Sequence, residues 1–186
     1  MYRRFTCFIV LAALLTGALP ATSASDDEAL FVVMAPEGFD GPIRRSLESG
    51  GQVLAYVKDR PAGQVRTLLQ VSTYDVGERL RGLSESRREA VTARYLLQFL
   101  EGIARSREAY VQTSPEATVL DGFPAAKATW SGRARGIDVH GVMYVVIIGT
   151  TILQFHTQDA VSAPASDMRE AVQAIEHVRL DRGDGR

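Results

Sequence analysis

His140 and His156 are the strongest candidates for a reactive or metal-binding site in the sequence. Asp138 lies two residues before His140, and Asp159 lies three residues after His156. Imidazole and carboxylate groups are both ligands of zinc. The histidines lie on neighbouring predicted strands joined by Gly149-Thr150, and a two-residue loop places them on opposite faces of the sheet. A three-residue loop would reverse that parity. We therefore predict no metal site and no cofactor.

Serine and cysteine residues give little support for an enzyme. Cys7 is the only cysteine of the chain, and no serine lies in the Gly-x-Ser-x-Gly turn that presents a hydrolase nucleophile. A Ser-His-Asp triad is recognised by geometry rather than by sequence order, so a hydrolase stays a third hypothesis. The sequence predicts a protein that is not an enzyme.

An aromatic and basic group could instead contact a partner. Trp130 and Phe123 lie close together in the sequence, and Arg133 and Arg135 follow in a predicted hairpin turn. Trp130 has two interpretations: it caps the core, or it anchors a partner in a partly exposed pocket. We favour the core interpretation and keep Trp130, Arg133, Arg135 and Phe123 as candidate partner-binding residues.

Residues 1–24 have the pattern of a cleaved export signal. Arg3 and Arg4 precede an apolar run at 8–15, and small residues follow at 21–24. The run is far shorter than the roughly 20 residues that span a bilayer, so a retained anchor is the weaker alternative. Cys7 lacks the context of a lipidation site. We predict a periplasmic or secreted protein with no membrane span after cleavage.

The charge balance argues against nucleic acid as a partner. Without Arg3 and Arg4, 19 of the 21 basic residues remain against 22 acidic ones, and the basic residues are scattered along the chain. The mature chain would contain no cysteine, which excludes a disulfide framework. We expect residues 25–180 to form one domain and residues 181–186 to be a disordered tail.

Apolar periodicity predicts several strands and two amphipathic helices. Residues 40–51, with Gly-Pro near one end and Gly-Gly at the other, are predicted to be a loop with at most a turn of helix. Ser86 and Glu89 have the spacing of a capping box at the start of the first helix. The predicted strands are 30–34, 52–59, 65–74, 125–130, 137–148 and 151–157, and the predicted helices are 86–107 and about 166–178.

The apolar run at 142–148 predicts strands that are buried on both sides. With a two-residue loop after Ile148, both faces of the strands 137–148 and 151–157 are largely apolar. The two amphipathic helices are available to cover these faces. We predict an α+β fold, a three-layer α/β/α sandwich with a central mainly antiparallel sheet.

The segments "FVVMAPEGF", "TLLQVSTY", "VLDGFPAAKATW" and "GIDVHGVMYVVIIGTTILQFHTQD", followed by an amphipathic helix, carry a family resemblance. In this order they resemble the PsbP/Mog/DcrB family over residues 30 to 180. The resemblance implies an α/β/α sandwich that is used for binding rather than for turnover. No functional residue of the family carries over to a position of this chain.

The sequence thus predicts an exported, non-enzymatic binding or accessory protein of the bacterial cell envelope. Its partner would be an envelope protein, docked through a sheet edge, a loop or the Trp130 hairpin. The alternative is a periplasmic carrier of a small apolar ligand or lipid, in which the helices would not be tightly seated on the sheet.

Overall fold

The computed structural model describes residues 30–47, 50–61 and 64–181. The predicted export signal at 1–24 and residues 182–186 of the predicted tail lie outside the described residues. Within these ranges the strands are β1 Phe31–Val32, β2 Asp40–Leu47, β3 Gly51–Lys58, β4 Thr67–Asp75, β5 Glu108–Gln112, β6 Glu116–Leu120, β7 Phe123–Ala134, β8 Ile137–Ile148, β9 Thr151–Ala160 and β10 Arg179–Leu180. The helices are α1 Glu85–Ala104 and α2 Ala165–Glu176, with a 3₁₀ turn at Gly77–Leu80.

Eight strands form one antiparallel sheet in the order β2-β3-β4-β9-β8-β7-β5, and β6 pairs with the remaining length of β7. The short strands β1 and β10 form a separate antiparallel pair. The hairpin β8–β9 therefore lies in the middle of the sheet, as its two apolar faces predict.

Two-residue loops set the register of the long hairpins. Asp121-Gly122 joins β6 to β7 and Arg135-Gly136 joins β7 to β8, and all four residues have positive φ. Positive φ at both central residues is the conformation of a type I′ turn, which matches the twist of the flanking strands. Gly149-Thr150 pairs Ile148 with Thr151, so the predicted two-residue loop between β8 and β9 is confirmed.

Each face of the sheet contacts one helix. On the α2 face, Ala171 and Ile175 of α2 pack against Tyr144, Leu153 and Phe155 of the central strands. On the α1 face, the helix contributes a stripe of buried residues to a second core. The members of that stripe are Leu96, Phe99, Leu100 and Ile103, which contact Met143, Val145 and Ile147 of β8.

The predicted three-layer α/β/α sandwich is wrong. The fold is mostly one large antiparallel sheet, with about half of the described residues in strands and about a quarter in helices. Strands lie about 4.8 Å apart, so the sheet is roughly 30 Å wide, whereas a helix is about 10–12 Å across. One helix on each face covers only part of the sheet and does not make a layer.

Two local predictions also differ from the structure. Residues 40–47 form the edge strand β2 instead of a loop. Seven of its eight residues are exposed, so the sequence lacks the alternation of apolar and polar residues that predicts a strand. Helix α1 begins at Glu85 after the N-cap Ser84, which makes no side-chain cap hydrogen bond, instead of at the capping box predicted from Ser86. In the part of the chain that is described, no helix is long and apolar enough to cross a membrane.

Candidate binding site

The four candidate partner-binding residues all lie on β7 or its turn, but the structure does not bring them together. Trp130 is 3% exposed and points into the core of the α1 face. Arg133 is exposed and forms an ion pair with Asp138 at 2.9 Å. Arg135 occupies the turn with φ 51. Phe123 packs against the α2-face core at the other end of β7, roughly 30 Å from Arg133 along the strand.

A groove opens on the α2 face of β7 and β8, where α2 leaves the sheet uncovered. We refer to it as the β7 groove; its volume is about 320 Å³. The register pairs Thr129 with Val142 and Ser131 with His140, which places these four side chains on one face of the two strands. Trp130 of β7 and Gly141 of β8 also line the groove. The remaining lining residues are Val111, Gln112 and Thr113 at the end of β5, and Met168 near the start of α2.

Ser131 and His140 of the β7 groove form a row with Asp159 on three neighbouring strands. Ser131 is opposite His140, and His140 is opposite Asp159. Asp159, however, accepts hydrogen bonds from Thr67 Oγ1 at 2.7 Å, from the Arg60 guanidinium at 2.9 Å and from the Ala160 amide at 2.7 Å. Its carboxylate therefore orients an arginine instead of the imidazole, and the row lacks the bonds that define a triad.

Asp159 belongs to a buried ionic network that joins β3, β4 and β9 to the start of α2. Arg60 Nη2 donates to Thr67 Oγ1 and to the carboxylates of Asp159 and Asp167, the last at 2.7 Å. Lys58 Nζ lies 3.0 Å from the second oxygen of Asp167, and this hydrogen bond raises the pKa of Lys58. Removing one partner from such a network leaves a buried charge uncompensated, which is strongly destabilising.

The opposite face of β7 contains an aromatic and cationic cluster around Trp130. Tyr110 stacks on the Trp130 indole with 6.1 Å between the ring centroids. The centroid of the His156 ring lies 5.7 Å from that of Trp130. The Arg107 guanidinium lies 5.7 Å from the centre of the indole ring. Burial, together with the positive charge of Arg107, lowers the pKa of His156 to about 3, so the imidazole is neutral at ordinary pH.

Gly141 makes room for this cluster. A Cβ atom at Gly141 would lie 2.6 Å from two carbons of the Trp130 ring and 2.6 Å from the Thr157 carbonyl oxygen. A glycine inside a strand often marks a close approach of this kind, and this was the available sequence signal for the Trp130 environment. Arg107 follows the end of α1 and gave no such signal, so sequence reasoning missed it.

The two histidines lie on opposite faces of the hairpin, as predicted, because His140 pairs with Asp159 and His156 pairs with Met143. His140 lines the β7 groove, whereas His156 is buried beside Trp130. Over residues 30–47, 50–61 and 64–181, no three His, Cys, Asp or Glu side chains lie close enough to hold a metal ion.

Comparisons with known proteins show a fold likeness and no family. No protein-family model matches the chain, and no curated protein matches it. The resemblance to the PsbP/Mog/DcrB family therefore stays a prediction.

Two solved structures are similar at low identity. PA94 from Pseudomonas aeruginosa, a protein of unknown function, matches with a TM-score of 0.50 and 10% identity over 67% of this chain and 79% of that one. LpqN, involved in cell envelope biogenesis of Mycobacterium tuberculosis, matches with a TM-score of 0.46 and 15% identity over 81% of this chain and 82% of that one. At such identities the PA94 match shows the fold alone.

Proposed function

We propose that this chain is an exported, non-enzymatic binding or accessory protein of the bacterial cell envelope, and that the β7 groove contacts its partner. The signal pattern at residues 1–24 supports export. The observation that carries the binding role is the open sheet face itself, where exposed Val111 and half-buried Val142 lie beside the hydroxyl groups of Thr129 and Ser131.

The chemistry of the β7 groove favours an uncharged, extended segment of a partner protein. Hydroxyl groups and one imidazole can exchange hydrogen bonds with a peptide backbone, and the valines offer apolar contact. Two basic side chains on the same face of β7 are already neutralised, because Arg133 pairs with Asp138 and Lys127 pairs with Glu176 at 3.3 Å. A strongly charged partner would find little to recognise.

The two edges of the sheet fit a docking role less well. Edge strand β2 carries Pro42, Arg44 and Arg45 and a register shift between Asp40 and Ile43. The other edge is irregular at β5, where the register shifts between Glu108 and Val111. Proline, charge and bulges are the devices by which proteins protect edges from pairing with another strand. A face-on contact in the β7 groove is therefore the better candidate.

Cysteine-directed cross-linking tests the proposal. With Cys7→Ser as background, Ser131→Cys places a single thiol in the β7 groove and Ser46→Cys places one on exposed strand β2 as the matched control. In envelope fractions of the source organism, we expect one dominant adduct from Ser131→Cys that is absent from Ser46→Cys. Peptide mapping of the adduct should identify an envelope protein cross-linked through an extended segment.

A second variant separates docking from non-specific labelling. Val111 is 64% exposed, so Val111→Glu should preserve the fold while adding a charge to the β7 groove. In the Ser131→Cys background it should reduce the adduct at least about tenfold, as burial of an unpaired charge would. Equal labelling at both thiol positions, or no effect of Val111→Glu, would contradict the proposal.

A further inference from the structure

Three buried nitrogen atoms without hydrogen-bond partners belong to the side-chain cluster around Trp130 on the α1 face. They are Arg107 Nε, Trp130 Nε1 and His156 Nε2. Among the described residues, one other buried side-chain atom lacks a partner, Arg60 Nε, and it belongs to the ionic network on the opposite face. Buried polar groups are nearly always hydrogen-bonded, so three in one cluster require an explanation.

Trp130 lies next to both of the other side chains. The Trp130 and His156 ring centroids are 5.7 Å apart, and the Arg107 guanidinium carbon lies 5.7 Å from the Trp130 ring centre. Trp130 and His156 are each only 3% exposed, so both rings are fixed by the core. Arg107 is half-buried, so part of its side chain is accessible to solvent.

The charge of Arg107 is not balanced by a neighbouring carboxylate. Its Nη1 donates to the Ser106 carbonyl oxygen at 3.0 Å and to Ser106 Oγ at 3.1 Å, and its Nη2 donates to Gln158 Oε1 at 3.3 Å. All three acceptors are neutral, and in the described part of the chain no carboxylate oxygen lies within 4.0 Å of this guanidinium. A partly buried cation that lacks a counter-charge is unfavourable, and desolvation lowers the pKa of Arg107.

We infer that Arg107, Trp130 and His156 form a binding site for a small anion, a halide or a single carboxylate group. Arg107 Nε and Trp130 Nε1 donate to the anion, and His156 adds a third donor in the tautomer that carries its proton on Nε2. Arg107 supplies the positive charge, and its half-buried side chain gives the anion a route from solvent. The site is on the face opposite the β7 groove and does not depend on the proposed function.

Arg107 distinguishes an anion from a water molecule as the occupant. A water molecule can accept hydrogen bonds from Arg107 Nε and Trp130 Nε1 and donate one to His156 Nε2 in the other tautomer, but it leaves the guanidinium charge uncompensated. An anion satisfies both the donors and the charge, and such charge-assisted hydrogen bonds are about twice as strong as neutral ones. Dependence on anion concentration therefore tests the inference directly.

Trp130 is the only tryptophan of the chain, so its fluorescence reports on this site alone. The protein is titrated with sodium chloride and with sodium acetate, while a bulky sulfonate buffer salt keeps the ionic strength constant. We expect a saturable change in Trp130 emission with one-to-one stoichiometry for at least one of the two anions. The same anion should raise the midpoint of thermal unfolding.

Variants locate the response. Arg107→Leu should abolish saturation, Arg107→Lys should weaken the affinity at least about tenfold because it keeps the charge but loses Nε, and Arg133→Leu should have no effect. If Arg107→Leu does not fold, Arg107→Lys and the thermal midpoint decide the question. An emission change that is linear in salt, or a saturable change that Arg107→Lys does not alter, would overturn the inference and leave water as the occupant.

Discussion

His156 should make the protein acid-sensitive, because its imidazole is buried in the neutral form. Burial is the main reason that its pKa falls from 6.5 to about 3 in the folded state, and the Arg107 charge adds to it. The unfolded chain takes up a proton at His156 near pH 6.5, whereas the folded chain does so only near pH 3. Stability is therefore lost as the pH falls from 6.5 towards 3, and His156 contributes no pH dependence above that window.

The magnitude follows from the width of that window. Each unit of pKa difference corresponds to about 1.4 kcal/mol, so protonation of the unfolded state at pH 4.5 lowers the free energy of unfolding by roughly 2.5 kcal/mol. Near pH 3 the loss reaches roughly 4.5 kcal/mol. A loss of this size is a large fraction of the 5–15 kcal/mol that is typical of a folded domain.

Urea unfolding of the wild type and of His156→Gln, monitored between pH 7.5 and 4.5 in sulfonate buffers without chloride or acetate, measures this contribution. Other groups also titrate, but they are common to both proteins, so the difference between the two curves isolates His156. We expect the stability difference to shift in favour of His156→Gln by roughly 2.5 kcal/mol over the range.

Met143→Leu is the matched control, because Met143 faces His156 across the hairpin and is also buried. This substitution conserves volume and should displace the stability curve by a constant of less than about 1.5 kcal/mol. If the curve of His156→Gln stays parallel to that of the wild type, as the control should, the imidazole is not buried in its neutral form and the reasoning is refuted.

Three further predictions concern packing and ionic contacts. Asp159→Asn should lower the free energy of unfolding by about 1.5–3 kcal/mol, because it removes one of the two carboxylates that pair with Arg60 and the charge that accepts the Thr67 hydrogen bond. Asp138→Asn breaks an exposed ion pair and should cost far less. Equal losses in urea unfolding would contradict the network's role. Gly141→Ala should cost about 1–3 kcal/mol and shift the Trp130 emission maximum, since the added methyl group overlaps the indole; an unchanged spectrum would contradict the close contact. Tyr144→Phe removes a 2.6 Å hydrogen bond from the tyrosine hydroxyl to Glu176 of α2 and should cost about 1 kcal/mol at pH 7. Because that bond lowers the pKa of Glu176, the stability lost in Tyr144→Phe should become smaller as acid protonates the Glu176 carboxylate. A stability loss that grew towards acid pH would contradict this assignment.

Much of the central hairpin could be predicted because it depends on local pattern. The alternation in residues 137–160 and the Gly149-Thr150 loop determine the register of β8 and β9, and with it the separation of His140 from His156. Edge strand β2 could not be predicted in the same way. A strand with both faces exposed shows no periodic burial, and its glycine and proline are typical of loops.

The candidate sites depend on contacts between residues that are far apart in the chain. Arg60 contacts residues 99 and 107 positions away, and Arg107 reaches a glutamine 51 positions away. No local pattern encodes such pairs. The sequence did place Trp130 beside a turn, but whether its ring faces the core or the solvent depends on the space that Gly141 leaves on the next strand.

The sequence by itself determined the antiparallel hairpins, the two-sided burial of the central strands and the opposite orientation of the two histidines. These features follow from side-chain alternation and loop length, which act over a few residues. Only the tertiary structure decided that the helices cover part of each face and leave the β7 groove open, and that Arg107 lies against Trp130 and His156 without a counter-charge. Helix docking and long-range pairing depend on how whole surfaces fit together, so the order of residues along the chain does not specify them locally.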